Sequence, residues 1–128
     1  HCAALAAKFL EKGRQAFVLS GVQGKKERSA ILKDIQGTPP ENPLIVLSTG
    51  QYLGEGFDCP QMDTLFMASP ASFKGRLVQY AGRILREYPG KTEAVVYDYL
   101  DSQVDLLRRM YSRRSKAYKT LGAIASEE

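Results

Sequence analysis

Leu44-Ile45-Val46-Leu47-Ser48, followed directly by Thr49-Gly50, is the clearest strand signal in the chain. A run this apolar and this short, bounded by turn residues, suits a parallel strand covered on both faces. Ligands of open parallel sheets lie outside the carboxyl ends of the strands. Thr49 and Gly50 leave that end, where backbone amides and a hydroxyl can approach a phosphate. A nucleic-acid backbone is one owner of such a phosphate.

Outward from this strand the punctuation alternates strand with helix. Toward the N-terminus, the pattern predicts a helix over Ala3–Leu10 ending at Gly13, a buried strand over Ala16–Ser20, and a helix over Lys25–Gln36 that stops at Gly37. Thr38-Pro39-Pro40-Glu41-Asn42-Pro43 cannot continue that helix and reads as a loop. Toward the C-terminus, strands are expected at Thr64–Ala68 and Ala94–Tyr99, with helices over Phe73–Leu85 and Val104–Leu121. The last helix carries Val104, Leu107, Tyr111, Tyr118 and Leu121 near one stripe, with Gly122 behind them. Such alternation predicts an α/β fold with an open, mostly parallel sheet, right-handed crossovers and helices on both faces.

The 128 residues amount to one domain, 44% hydrophobic and 25% charged, in the range of soluble globular chains. No apolar run approaches the roughly 20 residues of a spanning helix, and no cleavable leader pattern is present. A soluble, cytoplasmic protein is expected, and the start at His1 reads as a cut from a longer one. Cys2 and Cys59 with a single histidine supply neither a disulfide framework nor a zinc ligand set. The net charge of +4 and pI near 9.1 permit a nucleic-acid partner without requiring one. Arg108, Arg109, Arg113, Arg114, Lys116 and Lys119 form a basic run, either a solvated helix face or one turned to phosphates or another domain.

Two further stretches carry candidate chemistry. Gly54-Glu55-Gly56-Phe57-Asp58 allows positive φ and close approach of another molecule, and its Asp58 carboxylate either accepts from a ribose hydroxyl or caps local amides. Gln79-Tyr80-Ala81-Gly82-Arg83-Ile84-Leu85-Arg86 places Gln79, Arg83 and Arg86 within about 60° of one another if helical throughout. Leu77, Ala81, Ile84 and Leu85 then fall on the opposite side, toward the sheet. Gly82 costs roughly 1 kcal/mol relative to Ala in a helix, which suggests close packing or approach. Arginine suits phosphate because its planar fork binds oxygens in pairs and never loses its charge. Two ordinary surface arginines remain the alternative.

Taken together, Ser48-Thr49-Gly50 through Asp58-Cys59-Pro60 resembles motif V, and Gln79-x-x-Gly82-Arg83-x-x-Arg86 resembles motif VI, of superfamily-two helicases. The chain is similar to their C-terminal RecA-like domain, with the likeness nearest to the DEAD/DEAH-box branch that includes type III restriction subunits and related DNA helicases. Val96-Tyr97-Asp98-Tyr99-Leu100-Asp101 and the basic helix ending Tyr118-Lys119-Thr120-Leu121-Gly122 are also similar to that branch. The resemblance implies an ATP-dependent helicase or translocase acting on DNA or RNA. Thr49 and Gly50 would then meet the nucleic-acid backbone, and Gly56 and Asp58 the ATP ribose. Gln79, Arg83 and Arg86 would face the ATP phosphates, with Arg83 and Arg86 as arginine fingers. Glu55 matches in type without an evident role.

The same resemblance implies that ATP and Mg²⁺ are held mainly by an N-terminal RecA-like domain. The family's second domain opens with a strand ahead of the first helix, and that strand is not found in this sequence. Gly21-Val22-Gln23-Gly24-Lys25-Lys26 fails the phosphate-loop pattern, which needs Gly at the place of Leu19 and Ser or Thr at Lys26. It reads as a strand-to-helix turn with solvated lysines. A non-catalytic binding domain of the same shape remains the alternative, since the fold hosts many functions.

Overall fold

The structure is a computed structural model that describes residues 1–50, 52, 57–68 and 74–126. Its elements run α1 (Cys2–Glu11), β1 (Phe17–Leu19), α2 (Lys25–Gln36), β2 (Val46–Ser48), β3 (Thr64–Met67), α3 (Lys74–Ile84), β4 (Val95–Asp98) and α4 (Asp105–Thr120). The predicted alternation is therefore present element by element. The chain divides into two compact units, His1–Cys59 and Pro60–Glu128.

In the first unit β1 pairs with β2 in parallel, Phe17 opposite Val46 and Leu19 opposite Ser48. The amide of Phe17 donates to the Ile45 carbonyl at 2.9 Å, so pairing extends beyond the three-residue strand toward the predicted start. α1 ends as its sequence directs. Gly13 takes a φ of 69° while its amide donates to Leu10, the left-handed turn that glycine adopts without a Cβ penalty. α2 buries Ile35 completely. The turn between β1 and α2 is closed by a side chain: Gln23 Nε2 donates to the Val18 carbonyl at 2.7 Å, and its Oε1 accepts from the Ser20 amide at 3.1 Å. Lys25 and Lys26 are exposed, as the strand-to-helix reading expected.

In the second unit β3 and β4 pair in parallel from Thr64 opposite Val95 to Met67 opposite Asp98. Among the described residues the strands thus form two two-stranded parallel sheets. Phe66 and Tyr97, opposite each other in this register, stack with ring centroids 4.9 Å apart. Met67, Leu65 and Val96 pack with Ala117 and Tyr118 of α4.

α4 departs from its predicted pattern in one respect. Arg114, read in the sequence as part of the basic run, is 3% exposed. Its Nε donates to Asp98 Oδ2 at 2.7 Å and its Nη2 to Asp98 Oδ1 at 2.8 Å, a two-bond clasp between α4 and the end of β4. The Tyr118 hydroxyl donates to the same Oδ2 at 2.7 Å. Periodicity found the helix but not this polar pair, because an arginine on an apolar stripe looks like a break in it. The remaining basic residues of the run, Arg108, Arg109, Arg113, Lys116 and Lys119, are all exposed. Val104, assigned to the stripe, caps the helix from outside and is 41% exposed.

Candidate nucleotide and nucleic-acid site

Thr49 and Gly50 follow β2 at the carboxyl edge of the first unit's sheet, and both are exposed. The Thr49 amide donates to the Leu19 carbonyl at 3.2 Å, and the Thr49 carbonyl accepts from the Tyr52 amide at 2.9 Å and from Ser48 Oγ at 3.0 Å. This corrects part of the sequence expectation: the Thr49 amide serves the sheet, which leaves the hydroxyl as the group Thr49 can offer a phosphate. Tyr52 anchors the turn. Arg28 lies over its ring at 4.8 Å from the centroid, and a Cβ on Gly21 would come within 2.9 Å of its hydroxyl. Arg28 Nη1 in turn donates to the Gln23 carbonyl at 2.8 Å. Leu19, Arg28, Leu32 and Tyr52 enclose a cavity of about 40 Å³ beside this turn. Sequence reasoning passed over Gln23, Arg28 and Tyr52, although an arginine one helical turn from a loop glycine is a signal that could have been weighed.

Asp58 is exposed between buried Phe57 and Cys59. This alternation leaves the Asp58 side chain on the exposed side. The Gly54, Glu55 and Gly56 expectations lie outside the described residues.

In the second unit, α3 carries Gln79 and Arg83 one turn apart, with Gln79 exposed and Arg83 half-buried. The Nε atom of Arg83 is shielded from solvent. Tyr80, Ala81 and Ile84 form the buried face. Leu85, expected on that face, is 47% exposed because the helix ends at Ile84 and the chain turns. Arg86 therefore lies beyond the helix, exposed, and the single-face argument made for it does not apply. An added Cβ at Gly82 meets no atom within 4 Å, so close packing within the described residues does not explain that glycine.

The turn after Arg86 brings back a residue the sequence did not flag. Tyr88-Pro89-Gly90-Lys91 closes with the Lys91 amide donating to Tyr88 at 3.0 Å and Gly90 at a φ of 84°, the proline-then-glycine pattern of a type II turn. Lys91 Nζ donates to the carbonyls of Arg86 at 2.7 Å, Pro60 at 3.3 Å and Ile84. Partial burial pushes the Lys91 pKa below the usual lysine value, opposed by the charge of Asp63.

Thr49, Gly50 and Asp58 thus belong to the first unit, and Gln79, Arg83 and Arg86 to the second. The first unit offers a hydroxyl at the carboxyl edge of its sheet and an exposed carboxylate, and the second offers one guanidinium group on the last turn of α3 and one just beyond it. Among the described residues no helix is long and apolar enough to cross a membrane.

Known proteins place this fold in a class. The fold is that of the RecA-like C-terminal domains of helicases: the C-terminal domain of a Dbp5 variant from S. cerevisiae, solved bound to a Gle1 variant and IP6, superposes with a TM-score of 0.63 at 16% identity. That match covers 96% of this chain and 65% of the other. The family model of the helicase conserved C-terminal domain matches residues 1–87, and the chain belongs to that family. Similar sequences include uncharacterized protein 108L of Invertebrate iridescent virus 3, 33% identical over 75% of this chain and 88% of that protein. Protein 161L of Invertebrate iridescent virus 6, whose name marks it as a candidate helicase, is 32% identical over 66% of this chain. The chain spans only 18% of 161L.

Proposed function

We propose that this chain is the second motor domain of an ATP-dependent nucleic-acid helicase or translocase and supplies half of a catalytic site. The observation that carries the reading is the pair of Arg83, on the last turn of α3, and Arg86, just beyond it, in a chain of the helicase C-terminal family. A partner RecA-like domain holds ATP and its Mg²⁺, and closing the two domains brings the arginines to the γ-phosphate. There the guanidinium groups stabilise charge spreading over the transferred phosphoryl oxygens. Asp58, with Gly56, receives the ribose, Gln79 assists at the phosphates, and Thr49 with Gly50 meets the strand backbone. Opening after hydrolysis then shifts the grip on the strand, a gating motion rather than a chemical role.

The reading is tested by ATP turnover. The 128-residue chain alone is expected to hydrolyse ATP negligibly, whereas the same domain joined to a phosphate-loop RecA-like domain is expected to show turnover stimulated by nucleic acid. Substantial turnover by the chain alone would instead mark a self-sufficient ATPase.

The basic face of α4 favours a second reading, a non-catalytic domain that binds nucleic acid through Arg109, Arg113, Lys116 and Lys119. Replacing these four by glutamine would then weaken duplex binding uniformly across sequences. The slope of log affinity against log salt would become shallower by about 0.9 for every phosphate no longer neutralised. Arg83 and Arg86 would be dispensable. The motor reading expects the reverse dependence in ATP hydrolysis.

A further inference from the structure

The end of α3 is held by one ammonium group. A lysine has three N–H donors and no acceptor, and Lys91 spends them on three main-chain carbonyls, those of Pro60, Ile84 and Arg86. Two of these carbonyls belong to the four-residue stretch Arg83–Arg86. Just past α3 the Leu85 amide donates to the Ala81 carbonyl at 3.0 Å. Beyond it the backbone of Arg86 has left the helix, and Lys91 supplies restraint where the helical ladder stops. The third carbonyl, Pro60, is the first residue of the second unit, so the same ammonium also restrains the chain where that unit begins. The Pro89-Gly90 turn presents Lys91 to this position.

We propose that Lys91 is a positioning residue that fixes the backbone of Arg86 and the end of α3, setting both arginines for the ATP phosphates and tying them to the segment that starts at Pro60. This rests on the motor reading. Lys91 touches no reacting atom. Its effect runs through Arg83 and Arg86, whose contribution falls steeply with misplacement, since an error of about 1 Å in a catalytic group can cost about 10²-fold.

The test uses the domain joined to its ATP-holding partner, with Lys91→Met, Lys91→Arg and, as a stability control, Asp98→Asn. Lys91→Met is expected to lower nucleic-acid-stimulated kcat by about 10-fold or more while KM for ATP moves by less than about 3-fold, the signature of an interaction made in the transition state. Lys91→Arg, which keeps a cation able to donate to carbonyls, is expected to recover part of the loss. Asp98→Asn, assayed below its melting temperature, is expected to lose stability without that drop in kcat. Amide hydrogen exchange in residues 84–88 is expected to speed up in Lys91→Met and not in Asp98→Asn. A kcat within about twofold of wild type in Lys91→Met, or a loss matched by Asp98→Asn, or unchanged exchange in 84–88, overturns the proposal. If Arg83→Ala and Arg86→Ala leave turnover intact, the motor reading fails; if they abolish it while Lys91→Met does not, the positioning role alone fails.

Discussion

Arg83→Ala or Arg86→Ala, in a protein that pairs this domain with a phosphate-loop domain, is expected to lower nucleic-acid-stimulated ATP hydrolysis by at least about 10²-fold. Arginine fingers contribute about 10³ to 10⁵ in rate when they meet the transferred phosphoryl group. ATP affinity is expected to change far less, because the partner domain makes most ground-state contacts. The two residues need not contribute equally. Arg83 is half-buried on α3, whereas Arg86 is exposed beyond the helix end and reaches from a turn. The conservative change to lysine should not rescue Arg83 fully, since a point charge lacks the planar fork that pairs with two oxygens. Measuring kcat and nucleotide affinity for each variant separates loss of chemistry from loss of binding.

Asp98→Ala is expected to destabilise the fold by about 3–5 kcal/mol, since it strands a buried guanidinium without its carboxylate. The Asp98 and Arg114 side chains are only 7% and 4% exposed, and the pair joins β4 to α4 directly. For a domain of this size that loss lowers the melting temperature by roughly 10 °C or more. Replacing both members, as Asp98→Leu with Arg114→Met, should recover much of the stability, because no charge is then left unpaired. Tyr118 adds a pH signature. Its pKa is raised, first by burial and then by its hydrogen bond to Asp98. A folded value above the unfolded value of about 10 means its stabilisation is complete below that pH and is lost as pH rises beyond it. Thermal unfolding followed from about pH 8 to 11 should therefore show an alkaline decline that Tyr118→Phe lacks.

The fold was legible because apolar runs and glycine stops carried it. Leu44–Ser48, the α2 pattern ending at Gly37 and the Gly13 turn each report a local requirement of backbone geometry, which one sequence can display. The candidate site was read from side-chain types that suit phosphate and ribose. What escaped notice depends on distant partners. Asp98 and Arg114 are 16 residues apart, and neither alone distinguishes a buried clasp from a surface charge. Lys91 looks like an ordinary turn lysine until the carbonyls of Pro60, Ile84 and Arg86 are seen around it. The placement of Arg86 failed for a related reason. Helical periodicity was extended past Ile84, where the chain turns toward Pro89.

The central claim is that Arg83 and Arg86 act on a triphosphate held by another domain. A structure of the paired domains trapped with a transition-state analogue of ATP, Mg²⁺ and an oligonucleotide measures this directly. The account predicts at least one of the two guanidinium groups within about 3 Å of the oxygens or fluorines that stand for the transferred phosphoryl group. Both groups directed to solvent, or engaged only with carboxylates of the protein while the cleft is closed on the analogue, would contradict it.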